Sequence, residues 1–431
     1  MQILDWSTLD DAARDAALRR PVQQHDEARQ AQVRAIVERV RRDGDAALLH
    51  YAREFDGIAL DSLRVSEQEW SDAERRVDAL DLQAIEIAIA NVRRFHAAQA
   101  LAPLSLETQP GVRCERLIRP ITAVGLYVPA GSAPLPSTAI MLAVPAALAG
   151  CPQRVLCTPP QKDGRANAAV LAAARRCGIT LAIKAGGAQA IAALAYGTAS
   201  VPKVAKIFGP GNAWVTAAKQ LVAADPDGAA LDMPAGPSEV MVIADEAASA
   251  EFVAADLLAQ AEHDANAQAV LVTTSAALAA RVSVAVDTQM ARLGRRAILA
   301  QAIAASRLIV VADLAQAIAV AERYAPEHLI VQTRAPRELL EHIHNAGSVF
   351  LGPWSPEPLG DYCSGTNHVL PTYGYARAYS GLSLHDFSRR MTVQELTADG
   401  LRALGPVASR LARLEGLDAH AAAVDVRLGV L

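Results

Sequence analysis

From about residue 120, short runs of β-branched and aliphatic residues alternate with Ala-rich stretches. Helical stretches, for example at 167–177, 213–224 and 247–262, separate most of the apolar runs. Such alternation predicts parallel sheets covered by helices, because a parallel crossover is usually a helix. We therefore expect an α/β fold with two doubly wound, Rossmann-like domains and mainly parallel sheets. The predicted strands lie at 154–158, 204–208, 239–244, 269–273, 307–312, 328–332 and 348–351.

The flanking regions follow other patterns. Apolar residues from Val33 to Val40 recur at the spacing of one helix face. After about residue 376 the alternation is lost, and helices are predicted from 393 to 414. The chain is predicted to begin with a helical extension at 1–25 and a helical part at 26–119, which packs with residues 239–376. Two α/β domains follow, at 120–238 and 239–376. A C-terminal arm covers 377–431.

Composition excludes several classes of protein. A net charge of -5 argues against a nucleic-acid binder, which normally carries a basic excess. The longest apolar run, at 139–151, is too short to span a membrane. Five cysteines without a CxxC pair indicate reduced thiols, and no secretory signal is visible, so we expect a cytoplasmic protein.

A Gly-Pro-Gly-Asn loop at 209–212 lies between a predicted strand and a predicted helix. This position suits a phosphate at a helix N-terminus, although the loop could equally be a tight turn. The dinucleotide fingerprint is absent, because Trp214 occupies the position of its third glycine.

Two histidine motifs could carry chemistry. Gln260 and His263 share one face near a helix end, where they are either metal ligands or residues that only end the helix. Asp361 and His420 are partners for a metal by residue type alone. Glu327 and His328 open a predicted strand, where they are either an acid–base pair or a surface carboxylate beside a capping histidine.

The other histidines and the thiols carry weaker signals. His368 shares a loop with Asp361, and neither it nor His385 can be given a role. Cys363 is either a nucleophile or a small filler, because no activating partner is evident in the sequence. The histidines predicted to be solvated on helices are His25, His50, His96, His342 and His344.

Taken together, the motifs resemble the histidinol dehydrogenase family. They run in the family's order across residues 120–425, behind a helical region of fitting length. The stretches that carry the resemblance are GLYVPAGSAPLPSTAIMLAVPA, GGAQAIAALAYGT, KIFGPGNAWVTAAK, DMPAGPSEVMVIAD, LLAQAEHDANAQAVLVT, APEHL, LGDYCSGTNHVLPT and LEGLDAH.

The resemblance implies oxidation of L-histidinol to L-histidine through L-histidinaldehyde, the last steps of histidine biosynthesis, with two NAD⁺ and one Zn²⁺ per subunit. It implies that Glu327 and His328 are catalytic and that Tyr127, Gln189 and Asn212 contact NAD⁺. It also implies a homodimer in which the C-terminal arm completes the partner's site. The implied zinc ligands are Gln260, His263, Asp361 and His420, and the implied substrate contacts are these four with Ser238, His328 and Glu415.

Two alternatives stay open at this stage. An aldehyde dehydrogenase would act through a thiohemiacetal on Cys363 or Cys151 and would need no zinc. A metal-binding or amine-binding module would bind ligands without NAD⁺ turnover. The motifs disfavour both, and neither nucleic acid nor membrane is an expected partner.

Overall fold

A computed structural model describes residues 1–21, 27–130, 134–234 and 236–429. The strands of this part of the chain are β1 (Gln2–Asp5), β2 (Leu104–Gln109), β3 (Val112–Pro120), β4 (Ala123–Tyr127), β5 (Gln153–Thr158), β6 (Leu181–Lys184), β7 (Lys206–Phe208), β8 (Ala230–Leu231), β9 (Glu239–Ala244), β10 (Gln268–Thr273), β11 (Arg307–Val310), β12 (His328–Gln332), β13 (Ser348–Leu351) and β14 (Ser388–Leu396).

Helices connect most of these strands. They are α1 (Asp11–Ala17), α2 (Glu27–Asp43), α3 (Asp45–Phe55), α4 (Glu67–Arg76), α5 (Ala79–Ala97), α6 (Pro136–Leu148), α7 (Ala168–Arg176), α8 (Gly187–Tyr196), α9 (Ala213–Ala223), α10 (Ala250–Ala261), α11 (Ala276–Met290), α12 (Arg296–Ala305), α13 (Leu314–Tyr324), α14 (Pro336–Leu339), α15 (Glu357–Tyr362), α16 (Ala398–Leu414) and α17 (Asp418–Leu428).

Two parallel sheets form the body of the molecule, which confirms the predicted fold class. One has the strand order β6-β5-β4-β7-β8, and the other has the order β1-β11-β10-β9-β12-β13. The central strands β9, β10 and β12 are buried along their whole length, because helices cover both faces of the second sheet. Their near-continuous apolar sequences follow from this burial.

The N-terminal residues differ from the expected helical extension. Gln2–Asp5 form the edge strand of the second sheet, paired in parallel with β11. Trp6 is buried against this sheet, and α1 follows. His25, predicted to be solvated, lies outside the described residues.

The expectation that residues 26–119 pack with residues 239–376 is wrong for most of this region. Helices α2 and α3 bury their apolar faces against α8 and α9 of the first α/β block. Helices α4 and α5 pack on α6 and α7 of the same block. His96 on α5 is completely buried rather than solvated, and its Nδ1 lies 2.8 Å from the Val92 carbonyl oxygen.

A third, antiparallel sheet was not expected from the sequence. Its order is β14-β3-β2, and Ser388 to Leu396 pair with Pro120 to Val112 without interruption. Residues 393–396 therefore belong to a strand, and the predicted helix begins only at Ala398. The pairing attaches the C-terminal arm to the region before the first α/β block.

Candidate active site

A cleft of about 1740 Å³ separates the two parallel sheets. One wall is formed by loops at the carboxyl ends of β4, β5, β6 and β7. The opposite wall contains Ser238, Glu327 and His328, which lie at the amino ends of β9 and β12. The carboxyl edge of one sheet thus faces the amino edge of the other.

The first wall contains the residues expected to contact a dinucleotide. Tyr127 ends β4, and its hydroxyl accepts a 3.1 Å hydrogen bond from the Gly187 N–H. Burial raises the pKa of Tyr127 to about 12. Gln189 is buried in the first turns of α8, while exposed Asn212 caps α9 by accepting hydrogen bonds from two backbone N–H groups. All three residues line the cleft.

The loop after β7 has a backbone that only glycine accommodates. Gly209 has φ 120°, and a Cβ there would lie 2.1 Å from the Tyr127 carbonyl oxygen. Asp232 accepts a 2.8 Å hydrogen bond from the Gly209 N–H and forms an ion pair with buried Lys219. The loop is therefore held close to the sheet, with the N-terminus of α9 open to the cleft. The N-termini of α8 and α9 share one wall, an arrangement that fits the phosphates of a dinucleotide.

Glu327 and His328 lie together at the start of β12, both almost completely buried. The Glu239 N–H donates a 2.8 Å hydrogen bond to Glu327 Oε2, and the Glu239 carbonyl oxygen lies 3.2 Å from His328 Nδ1. A proton on Nδ1 is donated to this carbonyl oxygen in a hydrogen bond. In the neutral imidazole, Nε2 then carries the basic lone pair. Nε2 has no hydrogen-bond partner among the described residues and lies 3.5 Å from Asp361 Oδ1. His328 therefore has a basic nitrogen available for a ligand.

The electrostatics of this pair suit proton transfer. Burial raises the pKa of Glu327 to about 8. Burial alone would lower the pKa of His328, but the carboxylates of Glu357, Glu327 and Asp361 outweigh it and raise the pKa well above its usual value. Both groups thus hold protons more tightly than exposed side chains, which makes them stronger bases when deprotonated.

Candidate metal ligands gather beside His328. Donor atoms of His263, Glu357 and Asp361 all lie within 4.8 Å of one another. Burial lowers the pKa of His263, which keeps its imidazole neutral and able to ligate. Burial would raise the pKa of Asp361, but the neighbouring imidazoles, His328 first, hold it below its usual value. A neutral imidazole among carboxylates is a donor set that suits Zn²⁺.

Gln260 lies directly behind these groups, completely buried at the end of α10. One terminal atom of its amide lies 3.0 and 3.1 Å from the two oxygens of Glu357 and 3.1 Å from His328 Nδ1. Of the four residues implied as metal ligands, the single chain therefore brings Gln260, His263 and Asp361 together.

The arm residues lie elsewhere. Glu415 and His420 are exposed, at the end of α16 and the start of α17, and neither lines the cleft. His368, by contrast, lines the cleft between the two walls. Its Nδ1 lies 2.8 Å from the Asp361 carbonyl oxygen, and its Nε2 lies 3.1 Å from Thr138 Oγ1.

Two buried carboxylates at this site were not predicted from the sequence. Glu357 lies one turn before Asp361 on α15, so its i, i+4 spacing could have indicated it. Glu239 opens β9 and forms an ion pair with Arg20. It also accepts hydrogen bonds from the Tyr324 hydroxyl and from the Tyr373 N–H. No local pattern reveals these contacts, because they join distant parts of the chain.

The thiols lie away from the chemistry. No cysteine is among the residues that line the described part of the cleft. Burial raises the pKa of Cys151 to about 11 and that of Cys177 to about 12, so neither is a thiolate at neutral pH. None of the described helices combines the length and the apolar character needed to cross a membrane.

A cleft with helix N-termini on one wall and a carboxylate–imidazole cluster on the other is typical of an α/β enzyme. The chain belongs to the histidinol dehydrogenase family, because the model described as histidinol dehydrogenase matches residues 18–428. As a family member, it is an oxidoreductase of histidine biosynthesis.

Individual relatives agree with this assignment. The chain is 55% identical over 430 residues to the histidinol dehydrogenase of Xanthomonas axonopodis pv. citri (strain 306), with 100% of both chains covered. It is 54% identical to that of Vibrio vulnificus (strain YJ016), with 99% of this chain and 98% of the relative covered. The crystal structure of histidinol dehydrogenase from Elizabethkingia anophelis matches with a TM-score of 0.96 at 45% identity, covering 100% of this chain and 98% of that one.

Proposed function

We propose that the protein oxidises L-histidinol to L-histidine through L-histidinaldehyde, using two NAD⁺ per turnover and one Zn²⁺ per subunit. The observation that carries the proposal is the pairing of His328 and Glu327 in the cleft of a chain from this family. Bound NAD⁺ supplies the hydride acceptor for both oxidations, and bound Zn²⁺ supplies a positive charge that anchors the substrate.

His328 acts as the base in alcohol oxidation. Its Nδ1–H is held by the Glu239 carbonyl oxygen, so Nε2 faces the substrate with a free lone pair. Nε2 accepts the proton of the substrate hydroxyl as hydride leaves the carbinol carbon. That proton passes to solvent before the second oxidation, in which Nε2 accepts a hydroxyl proton of the hydrated aldehyde as hydride leaves.

Glu327 acts on water in aldehyde oxidation. One of its oxygens is held by the Glu239 N–H, which fixes the carboxylate in the cleft. Its raised pKa suits a group that takes a proton from water as the water attacks the aldehyde carbon. Because no cysteine lines the described cleft, attack by water on the aldehyde is favoured over formation of a thiohemiacetal.

The remaining residues bind and orient the ligands. Gln260, His263 and Asp361 would hold Zn²⁺ together with His420, and Ser238 and Glu415 would contact the substrate. Tyr127, Gln189 and Asn212 would contact NAD⁺, beside the N-termini of α8 and α9. Supporting this division, Tyr127, Gln189 and Asn212 line the cleft at the first sheet, whereas Ser238, His263 and Asp361 line it beside the second sheet.

Glu415 and His420 would act in the site of a partner subunit. The C-terminal arm supports this role, because α16 exposes Val407, Leu411 and Leu414 on a single face. An apolar stripe at i, i+4 and i+7 is normally buried, so it favours a homodimer. A cytoplasmic location stays a prediction, supported by the five unpaired thiols.

NADH production from L-histidinol tests the proposal. We expect two NADH per histidinol, histidine as the product, and one zinc per chain by metal analysis. Removal of the metal with a chelator should abolish turnover, and added Zn²⁺ should restore it. An end product of free aldehyde, with one NADH formed, would refute the two-step reaction.

A further inference from the structure

Lys219 and Asp232 form a buried ion pair behind the loop that follows β7. Lys219 Nζ donates a 3.0 Å hydrogen bond to the Gly209 carbonyl oxygen, while Asp232 Oδ2 accepts a 2.8 Å hydrogen bond from the Gly209 N–H. One ion pair therefore binds both backbone polar groups of a single glycine. The roles proposed above use neither of the two charged side chains.

Gly209 lies between two of the residues proposed to contact NAD⁺. On one side, its backbone approaches β4 so closely that a Cβ would lie 2.1 Å from the Tyr127 carbonyl oxygen. On the other side, the loop runs three residues further to Asn212, the N-cap of α9. Any movement of Gly209 would therefore change the position of Asn212 relative to Tyr127.

The ion pair joins three elements around this loop. Lys219 belongs to α9 and reaches back along the helix to Gly209, and Asp232 directly follows β8. The Asp232 N–H donates to the Ile207 carbonyl oxygen at 3.1 Å, which ties the carboxylate to the sheet. The loop is thus fixed before any ligand binds, and a loop already in its binding geometry costs less to order on binding.

Lys219 could instead attract the NAD⁺ phosphates directly, because it lines the cleft. Two observations argue against this role. Only 8% of the Lys219 side chain and 2% of the Asp232 side chain are exposed. Two of the three ammonium N–H bonds are directed at Gly209 and Asp232, and the Asp232 carboxylate cancels the positive charge.

We propose that Lys219 and Asp232 are positioning residues that hold the loop at Gly209 in the geometry that binds NAD⁺, so that the pair sets dinucleotide affinity through the loop rather than through its charge. The inference rests on the proposed NAD⁺ contacts. When only a fraction of the molecules has the binding geometry, the measured affinity falls by that fraction. Loss of one hydrogen bond to a charged group shifts such a balance by about tenfold or more.

Binding of NADH to the full-length protein, followed by fluorescence titration without substrate, tests the proposal. Lys219→Met removes the donor to the Gly209 carbonyl oxygen. Asp232→Asn leaves one amide oxygen, which cannot accept from both the Gly209 N–H and Lys219. Each change should weaken NADH binding by about tenfold. If Lys219 acted by its charge, Asp232→Asn would instead strengthen NADH binding, because it removes a negative charge beside the phosphates.

The double variant Lys219→Met/Asp232→Asn carries no unpaired buried charge, so it keeps the test decisive if either single variant fails to fold. It still lacks the donor to the Gly209 carbonyl oxygen and should bind NADH about tenfold more weakly than the wild type. Thermal unfolding establishes that each variant folds.

Steady-state rates separate positioning from a merely structural role. The KM for NAD⁺ should rise by about tenfold in each variant. The kcat at saturating NAD⁺ and the KM for L-histidinol should stay within about twofold of the wild type, the range of independent changes. A loss confined to kcat would show that the pair only maintains the fold, and it would overturn the inference.

Glu69→Gln is the matched control for Asp232→Asn. Glu69 is a buried carboxylate on α4 that also joins a backbone N–H, that of Ala166, to a buried lysine, Lys184. Neither Glu69 nor Lys184 is among the residues that line the described part of the cleft. This variant should bind NADH within about twofold of the wild type.

The outcomes distinguish the inference from the proposed function. Stronger or unchanged NADH binding in Asp232→Asn, unchanged binding in the double variant, or an equal loss in Glu69→Gln would overturn the inference alone. A wild-type protein that binds no NADH would overturn the proposed NAD⁺ contacts as well.

Discussion

The carbonyl oxygen of Glu239 lies 3.2 Å from Nδ1 of His328, across the neighbouring strands β9 and β12. The N–H of the same residue donates to Glu327. One backbone unit therefore fixes both members of the proposed acid–base pair. These contacts place Glu327, which directly precedes β12, and His328, its first residue, in the same cleft.

Glu327→Gln should separate the two oxidations. The amide keeps the size of the side chain but cannot accept a proton from water. Aldehyde oxidation should slow by about 10²–10⁴-fold, the usual contribution of a general base, while alcohol oxidation should change much less. Single-turnover NADH formation from histidinol and from histidinaldehyde measures each step. His328→Asn is the companion variant and should slow both steps, and equal damage to both steps by Glu327→Gln would contradict the division of roles.

The thiols should be dispensable. Cys151 is buried with a raised pKa, and Cys363 is partly buried against the core. Cys151→Ala and Cys363→Ala should therefore lower turnover far less than the roughly 10⁶-fold that loss of a nucleophile costs a covalent enzyme. Steady-state rates of the folded variants check this. A folded Cys363→Ala protein without turnover would favour the thiohemiacetal route.

Asp256 should make stability depend on pH. Burial raises its pKa from 3.8 to about 7, so between these values the folded state holds a proton that the unfolded state has lost. Stability due to this group is present below pH 3.8 and falls as the pH rises to about 7, by roughly 4 kcal/mol.

Asp256→Asn stays neutral throughout, so its stability should not show this fall. Urea unfolding at pH 5, 6, 7 and 8 measures the difference, which should grow with pH in favour of the variant. Asp61→Asn, at an exposed position, should follow the wild-type profile. Parallel profiles for wild type and Asp256→Asn would show that the Asp256 carboxyl titrates normally.

Mixed dimers should recover activity if the arm completes the partner's site. His263→Asn and His420→Asn proteins should each be inactive. After dissociation and reassociation, half of the dimers are mixed, and each mixed dimer holds one site with both lesions and one intact site. About a quarter of the sites should therefore regain NADH production. Background activity, with exchange verified by a tag, would exclude a shared site.

Local pattern predicted the strands of the two parallel sheets well where they are buried. The predicted ranges 239–244 and 328–332 coincide with β9 and β12, because strands covered on both faces need unbroken apolar sequence. It failed where pairing is distant. Strand β14 has few buried residues and pairs with β3 more than 250 positions earlier in the sequence, so its short segment at 393–396 resembled a helix start.

In the candidate site, too, some residues could be predicted from the sequence, whereas contacts between distant segments could not. His263 and Asp361 could be suggested by residue type and by family resemblance, and the structure places them within reach of one another. The contact of Glu239 with Arg20 could not be suggested, because it depends on how β1 and α1 bring the N-terminus to the second sheet. Tertiary packing alone creates such pairs.

The Glu239 carboxylate joins distant parts of the chain. It forms an ion pair with Arg20 and accepts a hydrogen bond from the Tyr373 N–H. Arg20 is synthesised early, whereas Tyr373 is added more than 350 residues later. The Glu239 carboxylate gains its full set of partners only after both have left the ribosome. The strand ends at the cleft thus acquire these contacts only when segments more than 350 residues apart in the sequence have packed together.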